Sequence, residues 1–397
     1  MRRRGDEAVS KTDPSYPMRK GADHMKIWNS AVGRRTQAFT ALFIAALALS
    51  ACSGNTGGTG VETPGADAGD RPAWCGEEAD DIVVGVTDGF GGNTARQIFN
   101  AVVQEELNLC PAVTDVIYSN GQGDPQKTIA GIDSLVAQGV DIILGVADFG
   151  EAELPAVQAA TDAGVTVVFY AADPGGDPGE DYFASVKFDL EDMGRQQAQW
   201  LAEQIGGEGD VLFVGGFENN NFTNGIFEGF QAELAANYPD VTILEDGYLA
   251  ANWDPAMIQQ MTAAMLAKYP QIDGIANDFG GGTLSAARAF EAAGRPFVPV
   301  TATSTDNLFN CSVPDIQAAN PDFQAQALEG NWRQPQYGVR VAVAEVTGGD
   351  PGPFEGEKLV QFYDTSAGDV PPCDPELPDG AYMDTDLTKE QLLEYLQ

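Results

Sequence analysis

From Asp80 to Ala302 short runs of β-branched residues alternate with longer amphipathic stretches, and that rotation admits few folds. The runs at 82–86, 113–119, 142–146, 166–170, 182–187, 211–214, 242–247, 274–276 and 298–302 read as strands. Between them, residues 94–109, 125–137, 154–163, 190–205, 222–238, 255–269 and 283–293 carry apolar side chains at three-to-four spacing and read as helices. Strand and helix in rotation imply right-handed βαβ units, hence an α/β fold with parallel sheets. About 310 residues from Asp80 to Leu387 exceed one comfortable core, so two doubly wound lobes are expected.

In doubly wound sheets a ligand sits beyond the carboxyl ends of the strands. The loops there hold Asn93, Asp173, Asn219, Asn220, Asn221, Asn224, Asn252, Asp254, Asn277, Asp278, Asp306 and Asn307, with Phe90, Phe222, Trp253 and Phe279 among them. Amides and carboxylates beside flat rings suit a sugar, whose hydroxyls need fixed donors and acceptors and whose C–H faces need a stacking surface. The same polar residues also form turns and helix N-caps.

The stretch from Ala38 to Ala51 is apolar, follows Lys26, Arg34 and Arg35, and ends in small residues before Cys52, as a secretory signal does. As a helix it is too short to span the hydrocarbon core. Met25 is a more natural start than Met1. Leu49-Ser50-Ala51-Cys52 looks like a bacterial lipobox, so Cys52 is expected to carry lipid and tie the protein to the outer face of the cell membrane. Ordinary cleavage, leaving a free Cys52, is the alternative. The Gly-, Thr- and Asp-rich residues 52–79 read as a flexible tether.

Beyond Cys52 the cysteines are Cys75, Cys110, Cys311 and Cys373. An even number in an exported chain implies two disulfides; three pairings exist, and spacing favours Cys75 with Cys110 and Cys311 with Cys373. The segment after residue 51 holds 12 basic and 55 acidic residues, a net of −43. Such a surface excludes nucleic-acid binding, which demands positive charge. The single histidine, His24, lies in the signal region, so histidine-based triads and metal sites drop out, and no cofactor or metal is expected.

Five segments, among them SNGQGDPQKTIAGIDSLVAQGVDIILGV and ANWDPAMIQQMTAAMLAKYPQIDGIANDFGGGTLSAARAFEAAG, make the chain resemble the type I periplasmic sugar-binding proteins that feed ABC importers. The likeness runs from about Asp80 to Asp364. It implies two lobes joined by three crossings near Lys187, Asn331 and Glu355: residues 80–187 with 331–355, and 188–330 with 356–368, followed by an extension over 369–397. It also implies ligand contacts from Phe90 and Asn93 in the first loop, from Trp253 as the capping aromatic, and from the Asn277-Asp278 pair. Asp173 falls where the family places an Asp-Arg pair whose Arg is missing here. Asn224 stands where ribose binders keep an arginine, Asp306 is an approximate match to a Phe-Asp pair, and Trp332 occupies a hinge position. Asn220 joins the set from the same loop as Asn224.

By this resemblance the chain would be a monomeric solute-binding lipoprotein that delivers a monosaccharide or polyol to a membrane permease. A sensor binding an autoinducer, nucleoside or aromatic ligand is the alternative. More remote is a secreted glycosidase, which needs only two carboxylates.

Overall fold

The computed structural model describes residues 71–330, 332–354 and 360–396. In the first lobe the spatial order is β2 (Val113–Asn120), β1 (Ile82–Asp88), β3 (Ile142–Val146), β4 (Thr166–Tyr170) and β5 (Ala184–Val186), all parallel. Helices α1 (Thr94–Leu107), α2 (Pro125–Ala137) and α3 (Leu154–Asp162) return the chain between strands. The central strands are buried on both faces, which is why IVVGV, IILGV and VVFY read as continuous apolar runs. Val84, Ile142, Leu144 and Val168 face α1, while Ile143, Val167 and Phe169 face α2 and α3.

The second sheet runs β12 (Gln361–Asp364), β11 (Ala325–Leu328), β10 (Val300–Thr303), β9 (Gly274–Asn277), β6 (Glu208–Gly215) and β7 (Asp240–Ile243), with β8 (Leu249–Ala250) beside the end of β6. Only β12 is antiparallel to its neighbour. Around it lie α4 (Leu190–Gln204), α5 (Asn221–Asn237), α6 (Pro255–Lys268), α7 (Thr283–Ala292) and α8 (Asn307–Ala319). Helices α4 and α5 meet backbone to backbone. A Cβ on Gly194 would lie 1.8 Å from the Ile226 carbonyl oxygen, and one on Gly229 would lie 2.0 Å from that of Glu191.

Between β11 and β12 the chain returns to the first lobe as α9 (Arg333–Thr347), whose Val339, Ala342 and Val343 join the β1–β4 core. The chain thus passes between lobes after β5, after β11 and after α9. The C-terminal extension then makes a further passage. Its start lies on α8, and its final helix α10 (Lys389–Tyr395) packs on α1 through Leu392, with Gln391 and Tyr395 bonded to Glu105.

Part of the segment that the tether reading covered is folded into the first lobe. Trp74 and Cys75 are buried in the first core, and Gly76 donates to Thr347 Oγ1 at the end of α9. Both disulfides pair as spacing favoured, Cys75–Cys110 and Cys311–Cys373. Where one strand was expected over 242–247, β7 and β8 stand apart. The signal segment, Cys52 and residues 52–70 lie outside the described residues. Among the described residues no helix is long and apolar enough to cross a membrane.

Candidate functional site

The carboxyl ends of both sheets face one another across a cavity of about 340 Å³. Helix N-termini converge on it from both sides, and the residues that cap them line it. Asn93 caps α1 by accepting from Arg96 N, Asn220 caps α5 by accepting from Thr223 N, and Asp306 caps α8 by accepting from Phe309 N. The second Asp306 oxygen accepts from Gly282 N at the start of α7. Capping and cavity lining are therefore one arrangement: each cap fixes a polar side chain at the strand ends while the helix directs unpaired N–H groups and a positive dipole end inward.

The first-lobe floor is charged and buried. Arg96 in the first turn of α1 donates from Nη2 to Asp148 Oδ1 at 2.5 Å, and its Nη1 stands 3.9 Å from Asp88. Burial alone would lower the Arg96 pKa; the two carboxylates more than reverse that, so it stays a cation. Burial pushes Asp148 up to about 6 against the pull of Arg96, and pushes Glu153, just behind it, up to about 8. One guanidinium shared by two aspartates has no charge left for an anionic ligand, so the floor offers dipoles and donors.

In the second lobe Trp253 is a wall held from behind. Its indole Nε1 donates to Asp278, which also accepts from Thr223 Oγ1 at 2.5 Å and from Gly216 N at 3.2 Å. Burial raises the Asp278 carboxyl to about 7 despite these donors. Asn252 and Trp253 both adopt left-handed backbone, with φ of +54° and +52°. Ala171 and Ser304, at φ of +64° and +56°, sit likewise at the ends of β4 and β10. Strained non-glycine residues collected at strand ends around one cavity mark a site whose shape is enforced by its surroundings. Gln334 of α9 is one such enforcer, its Oε1 accepting from Ala171 N at 2.6 Å.

Rings close both sides. Beside Trp253, Phe90 of the first lobe stacks on Phe217 of the second at 4.9 Å and packs near Phe149, and Phe217 meets Trp253 edge-on. On the hinge side Phe99, Phe279, Trp332 and Tyr382 form a cluster with centroids 5.2 to 6.3 Å apart.

Of the residues singled out from sequence, Asn93, Asn220, Phe222, Trp253, Phe279 and Asp306 line the cavity. Phe90 stacks on Phe217 of the other lobe and is not on the lining. Asn277 and Asp278 lie behind the wall: Asn277 takes Gln197 on its carbonyl and donates to Thr283 Oγ1. Trp332 is buried behind Phe99 and Tyr382. Asp173 turns away, bonded to Gly175 N, Ser185 and Lys187, and Asn224 lies a turn along α5 from the lining residue Asn220. Sequence reasoning missed Arg96, Phe99, Asp148 and Tyr382. Only Arg96 carried a signal, as the one basic residue in α1, set among its apolar positions.

This arrangement defines a class: a two-lobed binding protein whose lobes, linked by repeated crossings, face each other across the site. Residues 84–310 match the family described as a periplasmic binding protein domain, and the chain belongs to that family. A xylitol-binding protein from Mycolicibacterium smegmatis is 27% identical over 244 residues, which make up 59% of this chain and 65% of that protein, so the match spans just under two thirds of that relative's length. Among solved structures, a solute-binding protein from Actinobacillus succinogenes with bound D-allose aligns with a TM-score of 0.60 at 20% identity, over 71% of this chain and 97% of that one. The arabinose transporter component from Shewanella sp. ANA-3, bound to L-arabinofuranose, aligns with a TM-score of 0.58 at 19% identity, over 68% and 87%. At such identity the last two speak for the fold.

Proposed function

We propose that this protein captures a neutral sugar or polyol between its lobes, without changing it, and delivers it to an ABC permease. The observation that carries the reading is the cavity itself: about 340 Å³, large enough for a monosaccharide, walled by aromatic rings, and furnished with amides and helix N-termini rather than free charge. The xylitol binding of the Mycolicibacterium relative supports a polyol. In this reading the protein works as a monomer on the outer face of the membrane, held there by lipid on Cys52. Catalysis is not expected, because the acids at the cavity are engaged: Asp148 with Arg96 and Gly89 N, Asp306 with two helix N-termini.

Thermal-shift screening against xylitol, L-arabinose, D-allose, nucleosides and aromatic acids tests it. A sugar or polyol at 100 times its Kd should add ~2.7 kcal/mol of stability. Stabilisation by a nucleoside or aromatic acid alone would move the assignment to the sensor class.

A further inference from the structure

The family match ends at residue 310, yet the cavity is completed by Gly380 and Tyr382, which lie in the C-terminal extension. Their position is fixed at several points. Cys373 is bonded to Cys311 on α8, Asn307 donates to the Asp374 and Leu377 carbonyls, and Asn307 N and Leu308 N donate to the Ala381 and Asp379 carbonyls. Just beyond, Asp384 accepts from Ser304 Oγ at the end of β10 and from Gly330 N in the second crossing. Then α10 docks on α1 of the other lobe.

Held between these anchors, the Tyr382 ring packs 5.2 Å from both Phe279 and Trp332 and is only 4% exposed. Its hydroxyl has no hydrogen-bond partner among the described residues, although the residue is buried and its ring is packed between Phe279 and Trp332. It lies next to Gly281, where a Cβ would come within 2.5 Å of it, and both residues line the cavity. A phenol hydroxyl left unpaired on a cavity wall can form with a ligand the hydrogen bond that the protein does not supply. Burial, with Asp306 and Asp384 nearby, holds it well above its ordinary pKa, so the group remains a neutral donor and acceptor.

We propose that Tyr382 is a ligand-contacting, specificity-determining residue. Its ring forms the hinge-side wall of the cavity, and its hydroxyl hydrogen-bonds a hydroxyl of the bound molecule. The extension is then part of the binding site, and the Cys311–Cys373 staple is what positions it. The proposal rests on reading the cavity as a sugar or polyol site.

Calorimetric titration of the full chain with xylitol, L-arabinose and D-allose tests it on wild type, Tyr382→Phe and Tyr382→Ala. For a sugar that wild type takes, Tyr382→Phe should bind about 3- to 10-fold more weakly at an unchanged melting temperature, and Tyr382→Ala more than ~10-fold more weakly. Equal affinity in Tyr382→Phe overturns the proposal. A ligand-free measurement separates it from the reading beneath. In a chain carrying 13Cζ-labelled tyrosine, in an equal mixture of H2O and D2O, the Tyr382 resonance should be a single averaged line, because a hydroxyl unpaired at a cavity exchanges freely. A resolved isotope doublet, the mark of a hydroxyl locked within the protein, overturns the proposal whichever ligands bind. If wild type ignores all three sugars while the line stays single, the sugar reading falls and the cavity-facing hydroxyl stands.

Discussion

Trp253 shows how a single residue is made into part of a site. Its left-handed backbone costs on the order of 1 kcal/mol, and Asp278 behind it supplies the bond that keeps the ring in place. Trp253→Phe should retain most ligand affinity but lower the melting temperature, since Asp278 loses a donor. Trp253→Ala should weaken binding by at least ~1.5 kcal/mol in calorimetric titration. Asp278 itself predicts a pH dependence. Its folded pKa, near 7, lies above its unfolded value, so the stability it contributes is full below about pH 4 and is lost as pH rises through 7. Thermal melts should be higher at pH 5 than at pH 8, and Asp278→Asn should flatten that slope by on the order of 2 kcal/mol. Arg96→Met would leave Asp148 and Asp88 buried without their cation, costing about 3 to 5 kcal/mol at pH 8 and less at pH 5, where Asp148 takes up a proton. Chemical denaturation at the two pH values checks it. Which side chains belong here was partly legible: Asn93, Asn220 and Asp306 are caps, and a cap signal at a strand end already places a residue beside the cavity. Asp148 and Tyr382 were not legible, because nothing in their own neighbourhoods reveals that β3 ends opposite α1 or that the extension returns across the cleft.

At the scale of elements, periodicity found the strands and helices whose two faces differ or whose burial is complete. It passed over α8, which carries Pro314 in its interior, and β11, whose AQAL has no β-branched residue and is a strand only because β10 and β12 flank it. The cysteines, by contrast, were readable, since each pair closes a loop of modest length. The Cys75–Cys110 bridge fastens the entering chain to the end of α1 over a sequence separation of 35. Replacing both by serine should cost about 4 kcal/mol of stability in urea denaturation, with little effect on ligand affinity, because neither residue approaches the cavity.

For the molecule as a whole, the two lobes share one cavity, and Phe90 of the first lobe stacks on Phe217 of the second. The proposed function turns on closure around a captured molecule without chemistry. Ligand-observed NMR titration of the purified chain with xylitol, L-arabinose and D-allose reads binding and chemical identity in one spectrum. At least one of them should be broadened by the protein, be displaced by a competitor of the same kind, and return with its resonances unchanged. No broadening of any of the three, or new resonances from a converted product, would contradict it.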